Sequence, residues 1–443
     1  MTTVSRHAGS GASAQHRTER PADRSFETAA PRRRAVFVGH DVYRRHAYGT
    51  MHPLAIPRVE AVVDLCNALR WFDDGEYQTS PCATEAQLAS FHDPVYIAAL
   101  RDATESGAVD TAVRQRHGIG TMENPLFPGV FERASTSVGG SIRAAELALG
   151  GHIAFHPAGG THHGRRDRAS GFCYFNDPVF AILRLLEAGV TRIAYVDLDA
   201  HHGDGVQDAF AQDPRVRTLS IHEAGRWPHT GRASDTGDGR ACNLPVPAGC
   251  NDDELRILLD DVILPLLSRA EPEAVVLTCG GDALADDPLT RMALTNVALW
   301  NGVERIVALA PHAVVLGGGG YNPWTLTRYW TGLWGRLSQR AIPESLPAAG
   351  REILARLHCD LVDDEDVRPQ WLTTLADTPI PATARAEVIA LRDQVLARVD
   401  ERRWRDFAPA RAAAIAVGTP APRRPPASGA PDEAKTLLEE VPR

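Results

Sequence analysis

The stretch RIAYVDLDAHHGDG, residues 192–205, indicates both the fold class and a site. Its first half is an apolar, β-branched run typical of a buried strand, and its second half is a cluster of Asp and His residues. Because side chains alternate along an extended strand, Asp197, Asp199 and His201 are expected to point to one side. Carboxylates and an imidazole at this spacing, aimed at a crevice, indicate half of a metal site.

Similar apolar runs recur along the chain, separated by longer amphipathic stretches. The predicted strands are 35–40, 152–157, 192–199, 215–223, 274–281 and 313–320, and the predicted helices include 176–189, 254–270 and 289–310. Alternation of strands and helices predicts a parallel sheet covered by helices on both faces. We therefore predict a single α/β domain with a central, mostly parallel sheet.

The two ends of the chain differ from the middle in composition. Residues 1–34 are polar and rich in Arg, Ser, Ala and Thr, which predicts disorder. The α/β domain is expected to span 35–380. Residues 381–443 are expected to form a C-terminal helix, at 381–404, followed by a flexible tail rich in Pro and Ala.

Composition excludes several classes of protein. The chain has 443 residues, of which 44% are hydrophobic and 23% charged, as in soluble globular proteins. Its formal net charge of −9 argues against a nucleic-acid-binding surface. No stretch is long and apolar enough to span a bilayer, and the N-terminus lacks the apolar core of a signal peptide. The seven cysteines are widely spaced without a CxxC pair, so a cytoplasmic location is expected.

Polar clusters follow four of the predicted strands, at the end where open α/β sheets place ligands. They are HPAGGTHHG (156–164), DLDAHHGDG (197–205), GGDALADDPL (280–289) and GGGGY (317–321). Asp282 can supply a third ligand beside Asp199 and His201, and this set without thiolate suits catalytic Zn²⁺, or Mn²⁺, Fe²⁺ or Co²⁺. Three protein ligands leave a position open for water. The tandem His162–His163 adds two more imidazoles.

These motifs together resemble the histone deacetylase and acetoin-utilisation deacetylase family. The resemblance runs from about residue 40 to about 335, and GGDALADDPL is most similar to the bacterial acetoin-utilisation branch. Further segments that carry it are GTMHPLAIPR (49–58), FHDPVYIAAL (91–100), NPLFPGVFERASTSVGGSIRAAE (124–146) and RASGFCYFND (168–177). The resemblance implies the fold shared by arginases and deacetylases, with 35–380 as the catalytic domain.

The resemblance also implies roles for individual residues. Asp199, His201 and Asp282 match the zinc ligands, His162 and His163 the catalytic histidine pair, and Tyr321 the catalytic tyrosine. Asp197 matches the carboxylate that hydrogen-bonds His162, and Asp204 the one that hydrogen-bonds His163. Asp197, Asp199, His201, Ser220 and Ile221 match a structural K⁺ site. Gly171, Phe172 and Trp227 match the walls of the acyl-lysine channel, and Arg58 matches an arginine lining a cavity behind the metal.

Two departures from the family pattern lie at the rim of this channel. Trp227 and His229, in the loop 222–231, stand where Phe and Gly are commoner, and Val95 stands where many eukaryotic relatives have an Asp that binds the substrate backbone. The resemblance therefore implies the chemistry more strongly than the recognition of a peptide backbone.

Four functions follow from this pattern. The first is a zinc amidohydrolase that removes acetyl groups from lysine side chains of proteins, and the second is a deacetylase of acetylpolyamines or other small amides. An arginase-like hydrolase with two metal ions would need a second cluster of ligands. A non-catalytic acyl-lysine binder would not need Tyr321, both histidines and all three ligands. We therefore expect the partner to be an acetylated protein or an acetylated amine, and we expect no binding to nucleic acid or membrane. The oligomeric state is left open.

Overall fold

The computed structural model describes residues 33–399 and Trp404. Residues 1–32 of the predicted disordered segment, and the predicted tail beyond Trp404, lie outside the described residues. Arg33, near the start of the described part, donates hydrogen bonds from its guanidinium to the carbonyl oxygens of Val307 (2.6 Å) and Ala310 (2.8 Å).

A single parallel sheet of eight strands forms the centre of the described part of the chain. The strands are β1 (Ala35–Gly39), β2 (Tyr77–Thr79), β3 (Ile153–His156), β4 (Ile193–Asp197), β5 (Val216–Glu223), β6 (Ala241–Val246), β7 (Ala274–Thr278) and β8 (His312–Leu316). Their order across the sheet is β2-β1-β3-β8-β7-β4-β5-β6. The predicted α/β fold with a parallel sheet is confirmed.

Helices connect the strands and cover both faces of the sheet. They are α1 (Val42–Arg45), α2 (Val59–Ala68), α3 (Glu85–Leu88), α4 (Pro94–Ser106), α5 (Thr111–His117), α6 (Val130–Leu149), α7 (Asp177–Glu187), α8 (Asp204–Ala209), α9 (Asp252–Leu258), α10 (Leu264–Ala270), α11 (Asn296–Val307), α12 (Pro323–Leu337), α13 (Ala348–Ala355), α14 (Pro369–Thr373) and α15 (Ala386–Leu396). Within the described residues, no helix has the length and apolarity needed to cross a membrane.

The alternation of side chains along the strands produces two hydrophobic cores, one on each face. In β1, Phe37 faces the core that α2 and α9–α12 cover, whereas Val36 and Val38 face the core that α4, α6 and α7 cover. Because the sheet is buried on both faces, its strands are continuously apolar rather than alternating. This explains why the apolar runs could be identified in the sequence.

The sheet order brings the four predicted polar clusters together. The clusters follow β3, β8, β7 and β4, which are four consecutive strands in the middle of the sheet. Since all strands are parallel, their carboxyl ends meet at one edge. The fold therefore places side chains from distant parts of the sequence into one crevice.

Some predicted elements differ from the observed ones. The predicted helix 289–310 begins only at Asn296, because the Thr295 hydroxyl caps it by accepting a hydrogen bond from Ala298 N at 3.2 Å. The predicted helix 254–270 is observed as α9 and α10 joined by a π-helical turn. In the C-terminal region, α15 is shorter than 381–404, and its Val388 and Val395 are buried in the core. The domain boundary at residue 380 stays a prediction.

The contact between α11 and α12 provides a test of the packing. Gly332 of α12 lies against the buried ring of Trp300, and a Cβ at position 332 would lie 2.0 Å from Cζ2 of that ring. We expect Gly332→Ala to lower the free energy of unfolding by about 1–3 kcal/mol through overpacking. Urea unfolding followed by circular dichroism would measure this change.

Gly302→Ala, in α11, is the matched control. A Cβ there would meet only Cδ1 of Leu259, the end of a side chain, at 3.0 Å, so a shift of a few tenths of an ångström accommodates it. The better helix propensity of Ala should then stabilise the protein by about 0.5–1 kcal/mol. Equal stability of the two variants would contradict the close packing of α12 on Trp300.

Candidate active site

Asp199, His201 and Asp282 form a buried group at the carboxyl edge of the sheet. Asp199 and His201 follow β4, and Asp282 follows β7, the neighbouring strand. One ligand atom from each lies within 4.8 Å of the others, and each residue is at most 4% exposed. Nδ1 of His201 lies 2.9 Å from Oδ2 of Asp282. The structure thus brings together the three residues that the sequence assigned to a metal.

Backbone amides hold the two carboxylates in place. Oδ1 of Asp199 accepts from His201 N at 2.9 Å, and its Oδ2 accepts from Gly319 N at 2.6 Å. Oδ1 of Asp282 accepts from Ala200 N at 3.0 Å. The loops after β4, β7 and β8 are therefore joined through the two carboxylates, and backbone hydrogen bonds orient both of them.

Two glycines let the backbone approach these carboxylates closely. A Cβ at Gly280 would lie 2.1 Å from Oδ2 of Asp199, and one at Gly319 would lie 2.1 Å from Oδ2 of Asp282. Only glycine fits at such distances. The glycine-rich character of the motifs after β7 and β8 thus has a steric cause.

The charges within this group suit a cation. Burial and the neighbouring Asp199 carboxylate raise the pKa of Asp282 to about 6. Burial opposes ionisation of Asp199 as well, but the His162 and His201 rings hold its pKa below the usual range. Burial alone would lower the pKa of His201, yet its hydrogen bonds to Asp199 and Asp282 raise it to about 10. Two buried carboxylates beside one imidazole form a donor set that a divalent cation would neutralise, with the oxygen and nitrogen ligands that zinc accepts.

His162 and His163, in the loop after β3, each bond to a buried carboxylate. Nδ1 of His162 donates to Oδ2 of Asp197, and Nδ1 of His163 donates to Oδ1 of Asp204, both at 2.8 Å. Asp204 is itself paired with the guanidinium of Arg165. Both pairings are those implied by the resemblance. Each fixes the tautomer of the neutral ring, with the hydrogen on Nδ1 and the lone pair on Nε2.

The two rings have opposite electrostatic environments. Burial would lower the pKa of His162, but the carboxylates of Asp197 and Asp199 outweigh it and raise the pKa to about 9. For His163, burial and the adjacent rings of His162 and His201 hold the pKa well below its ordinary value. Of the pair, His163 is therefore the ring held in the neutral form.

Tyr321 lies at the same end of the sheet, directly after the glycines that follow β8. Its ring centroid is 6.5 Å from that of His201 and 5.9 Å from that of Phe172. Burial makes the largest contribution to raising the pKa of its phenol well above the ordinary value, and the negative charges of Asp282 and Asp199 raise it further. The hydroxyl is thus kept protonated and able to donate.

The predicted channel walls surround this end of the site. The ring of Trp227 lies edge-on to that of His163, with centroids 4.6 Å apart. Gly171 has a φ of +56°, and a Cβ there would lie 2.3 Å from the Trp227 ring. Phe172, with a φ of +65°, packs against Tyr321. The three predicted wall residues therefore lie together next to the histidine pair.

A cavity of about 90 Å³ is lined by residues of the site. Its lining includes His162, His163, Tyr321 and the partly buried Arg58. The Arg58 guanidinium lies 5.1 Å from the centroid of the Trp330 ring and donates to the carbonyl oxygen of Gly318. The structure thus places Arg58 on the cavity wall, as the resemblance implied.

The residues of the predicted K⁺ site lie on the neighbouring strands β4 and β5. Asp197 is opposite Ser220 in the sheet register, and Ile221 is buried next to it. The Ser220 hydroxyl forms a 2.8 Å hydrogen bond with Nδ1 of His222. This placement brings Asp197 next to Ser220, and the cation itself stays a prediction.

Four polar residues that support the site were not identified from the sequence. Asp287 accepts from Tyr321 N at 2.7 Å, and Glu123 accepts from Gly171 N. Asn176 donates to the carbonyl oxygens of His162 (3.0 Å) and Gly164 (2.9 Å). Asp177 accepts from Gly160 N (3.1 Å) and Thr161 N (2.7 Å). For Asn176 and Asp177 the sequence did contain a signal, since the pair directly follows the apolar run CYF (173–175). Polar residues buried beside apolar ones need hydrogen-bond partners.

Comparison with known proteins identifies the family. Residues 52–337 match the model of the histone deacetylase domain. The acetoin utilization protein AcuC of Bacillus subtilis is 35% identical over 318 residues, which cover 68% of this chain and 81% of that protein. The chain belongs to the histone deacetylase family. The membership expected from the motifs is thereby confirmed.

Other histone deacetylase family members show the same relationship. Histone deacetylase 8 of Xenopus laevis is 35% identical over 273 residues, or 60% of this chain and 83% of that protein. The crystal structure of an HDAC homolog from Aquifex aeolicus has a TM-score of 0.78 and 36% identity, covering 82% of this chain and 100% of that one. An HDAC homolog complexed with SAHA has a TM-score of 0.75 and 34% identity, with the same coverage of 82% and 100%.

The buried three-residue group leads to a prediction of metal content. We expect one divalent ion per chain after loading with zinc and dialysis. Asp199→Ala or Asp282→Ala should lose this ion. Loss of a residue that only hydrogen-bonds to a ligand lowers metal affinity by roughly 10–100-fold, and loss of a ligand itself should lower it more. Elemental analysis of the dialysed protein measures the stoichiometry.

Asp102→Ala is the control, since the Asp102 side chain is 68% exposed and lies on α4, outside the three-residue group. It should retain the ion, as the wild type does. Full occupancy in either the Asp199 or the Asp282 variant would show that the ion binds elsewhere.

Proposed function

We propose that this protein is a zinc-dependent amidohydrolase that removes acetyl groups from acetyl-lysine side chains of proteins. The observation that carries the proposal is the convergence of three elements beside the aromatic rings of Phe172 and Trp227. These are the buried Asp199–His201–Asp282 group, two imidazole–carboxylate pairs and a protonated tyrosine. Such a set matches what hydrolysis of an amide requires, namely an electrophile, a base and a donor to the carbonyl oxygen.

Asp199, His201 and Asp282 would hold the zinc ion. When bound there, zinc supplies Lewis acidity toward the amide carbonyl and makes water a stronger acid. The residues fit this ion because they offer three oxygen and nitrogen ligands, as catalytic zinc sites do. A structural K⁺ ion, held by Asp197, Asp199, His201, Ser220 and Ile221, is part of the same proposal.

His163 would act as general base and then as general acid. Its Nδ1 is committed to Asp204, so in the neutral ring Nε2 carries the lone pair that accepts a proton from the attacking water. The same nitrogen then returns a proton to the departing amine. The Asp204 carboxylate, fixed by Arg165, stabilises the imidazolium formed between the two steps.

Tyr321 would donate its hydroxyl hydrogen bond to the carbonyl oxygen of the substrate. This bond strengthens as negative charge develops on that oxygen, so it favours the transition state over the bound substrate. Asp287 holds the backbone of Tyr321 through the 2.7 Å hydrogen bond to its amide. Phe172, Trp227 and Gly171 would enclose the aliphatic part of the acylated amine and exclude water.

One observation favours a small acetylated amine, such as an acetylpolyamine, as a second candidate substrate. Val95 is 54% exposed and offers no carboxylate to a peptide backbone.

The remaining alternatives have less support. Among the described residues, one group suits a metal, whereas an arginase-like hydrolase needs two ions. A non-catalytic binder does not account for Tyr321. A cytoplasmic location remains our proposal from the cysteine usage.

The histidine pair gives the first test of this mechanism. His163→Ala should abolish turnover of an acetyl-lysine peptide while the zinc content stays at one ion per chain, because the proton acceptor is lost and the ligands remain. His162→Ala should retain measurable activity. Steady-state kinetics together with elemental analysis compare the two variants, and the reverse ranking would exchange their roles.

Tyr321→Phe tests the hydroxyl alone, since the ring and its packing are kept. We expect kcat to fall by about 10²–10³, the usual cost of removing one donor to a developing oxyanion. The melting temperature and zinc content should stay close to those of the wild type. The substrates are an acetyl-lysine peptide, free acetyl-lysine and acetylpolyamines, and the highest wild-type kcat/KM identifies the substrate class. Wild-type turnover by the Phe variant on all of them would contradict the mechanism.

A further inference from the structure

A small apolar cluster, distinct from the two main cores, lies beside the active-site histidines. Its buried members are Phe172, Trp227, Leu289 and Tyr321. Two partly buried leucines, Leu54 and Leu361, pack against it. We call these six residues the mouth cluster. Because it contains the proposed channel walls and the proposed catalytic tyrosine, a partly exposed side chain packed on it can lie within reach of an entering substrate.

Leu361 differs from the other members in its position along the chain. It follows α13, in a stretch that lies beyond the residues 52–337 matched by the family model. The other five members all lie within that match. The domain model therefore does not cover Leu361.

The stretch that carries Leu361 is fixed to the loop that carries Tyr321. Nε1 of Trp324 donates to the carbonyl oxygen of Leu354 at 2.9 Å. The buried Cys359 thiol lies 3.6 Å from the carbonyl oxygen of Tyr321, to which it donates. The guanidinium of Arg368 pairs with Asp286, in the motif after β7. These contacts on both sides of Leu361 hold it against the mouth cluster.

We infer that Leu361 is a specificity-determining wall of the channel mouth, where it contacts the aliphatic chain of the acylated amine. This inference rests on the proposed function. Leu361 is apolar and only partly buried, so it retains a face that methylene groups of a substrate can cover, and covering it removes apolar surface from water. Such a contact is made equally with the substrate and with the transition state, so it affects KM and leaves kcat unchanged.

Leu361→Ala tests this role against its neighbour Val362→Ala. Val362 is adjacent in the chain and also partly buried. Both residues pack on the core that α2 and α9–α12 cover, but only Leu361 also packs on the mouth cluster. With an N-acetylated linear diamine as substrate, we expect Leu361→Ala to raise KM about 3–10-fold with kcat within about twofold, as for loss of uniform binding. Leu361→Met, which restores the volume, should return KM to within about twofold of the wild type. Val362→Ala should leave KM unchanged.

A purely structural role predicts a different result. If Leu361 only supported the Tyr321 loop, Leu361→Ala would lower kcat and leave KM unchanged, and this outcome would overturn the inference. An unchanged KM and kcat, or an equal change in Val362→Ala, would also overturn it.

A binding measurement separates this inference from the proposed activity. The same acetylated diamine is titrated calorimetrically into zinc-loaded Tyr321→Phe protein, with and without Leu361→Ala. We expect Kd to rise about 3–10-fold in the double variant, the same factor as KM. If the wild type hydrolysed no acetylated amine while Kd still depended on Leu361, the proposed hydrolysis would be wrong. The inference that Leu361 contacts the bound amine would then still hold. An equal Kd in both proteins would contradict the inferred contact between Leu361 and the bound amine, even if the wild type were active.

Discussion

The carboxylates of Asp199 and Asp282 are buried side by side, and the rest of the active site is arranged around them. Two anions at this depth repel each other and lose their hydration, which is costly unless hydrogen bonds and a cation compensate. Amide groups of the surrounding loops supply part of this compensation, and the His201 ring supplies another part. The need for compensation explains why loops from three separate strands converge on one point.

The same constraint orders the groups around the carboxylates. The histidine pair lies next to them, with ring centroids 4.0 Å apart, and each ring is held by its own carboxylate. As a result, two adjacent imidazoles of similar chemistry have pKa values moved in opposite directions. Groups whose environments separate their pKa values in this way are suited to different roles in one reaction.

The central elements and the ligands could be predicted from the sequence because their signals are local. A buried parallel strand is an apolar run, and polar residues at its carboxyl end stand where open α/β sheets bind their ligands. The edge strands could not be predicted in this way. β2 has three residues, and β6 contains Pro245, which a strand tolerates only at the edge of a sheet.

The supporting contacts of the site could not be predicted for a similar reason. Glu123 accepts a hydrogen bond from the amide of Gly171, 48 residues away, and Asp287 accepts one from the amide of Tyr321, 34 residues away. Both carboxylates lie in loops, whose sequences have no regular hydrophobic period. Only the folded backbone shows that these residues meet. The resemblance to a family carried the roles of the histidine and tyrosine residues, which spacing alone left open.

The glycines at positions 280 and 319 have a consequence for the interpretation of related sequences. They contribute no side chain, yet their backbones lie so close to Asp199 and Asp282 that any other residue would push a carboxylate away. A relative that keeps both aspartates but has replaced one of these glycines would retain the ligand residues without their geometry. Screening a genome for active enzymes of this kind by acidic and histidine residues alone would therefore count such degenerate copies as functional, whereas including the two glycines would exclude them.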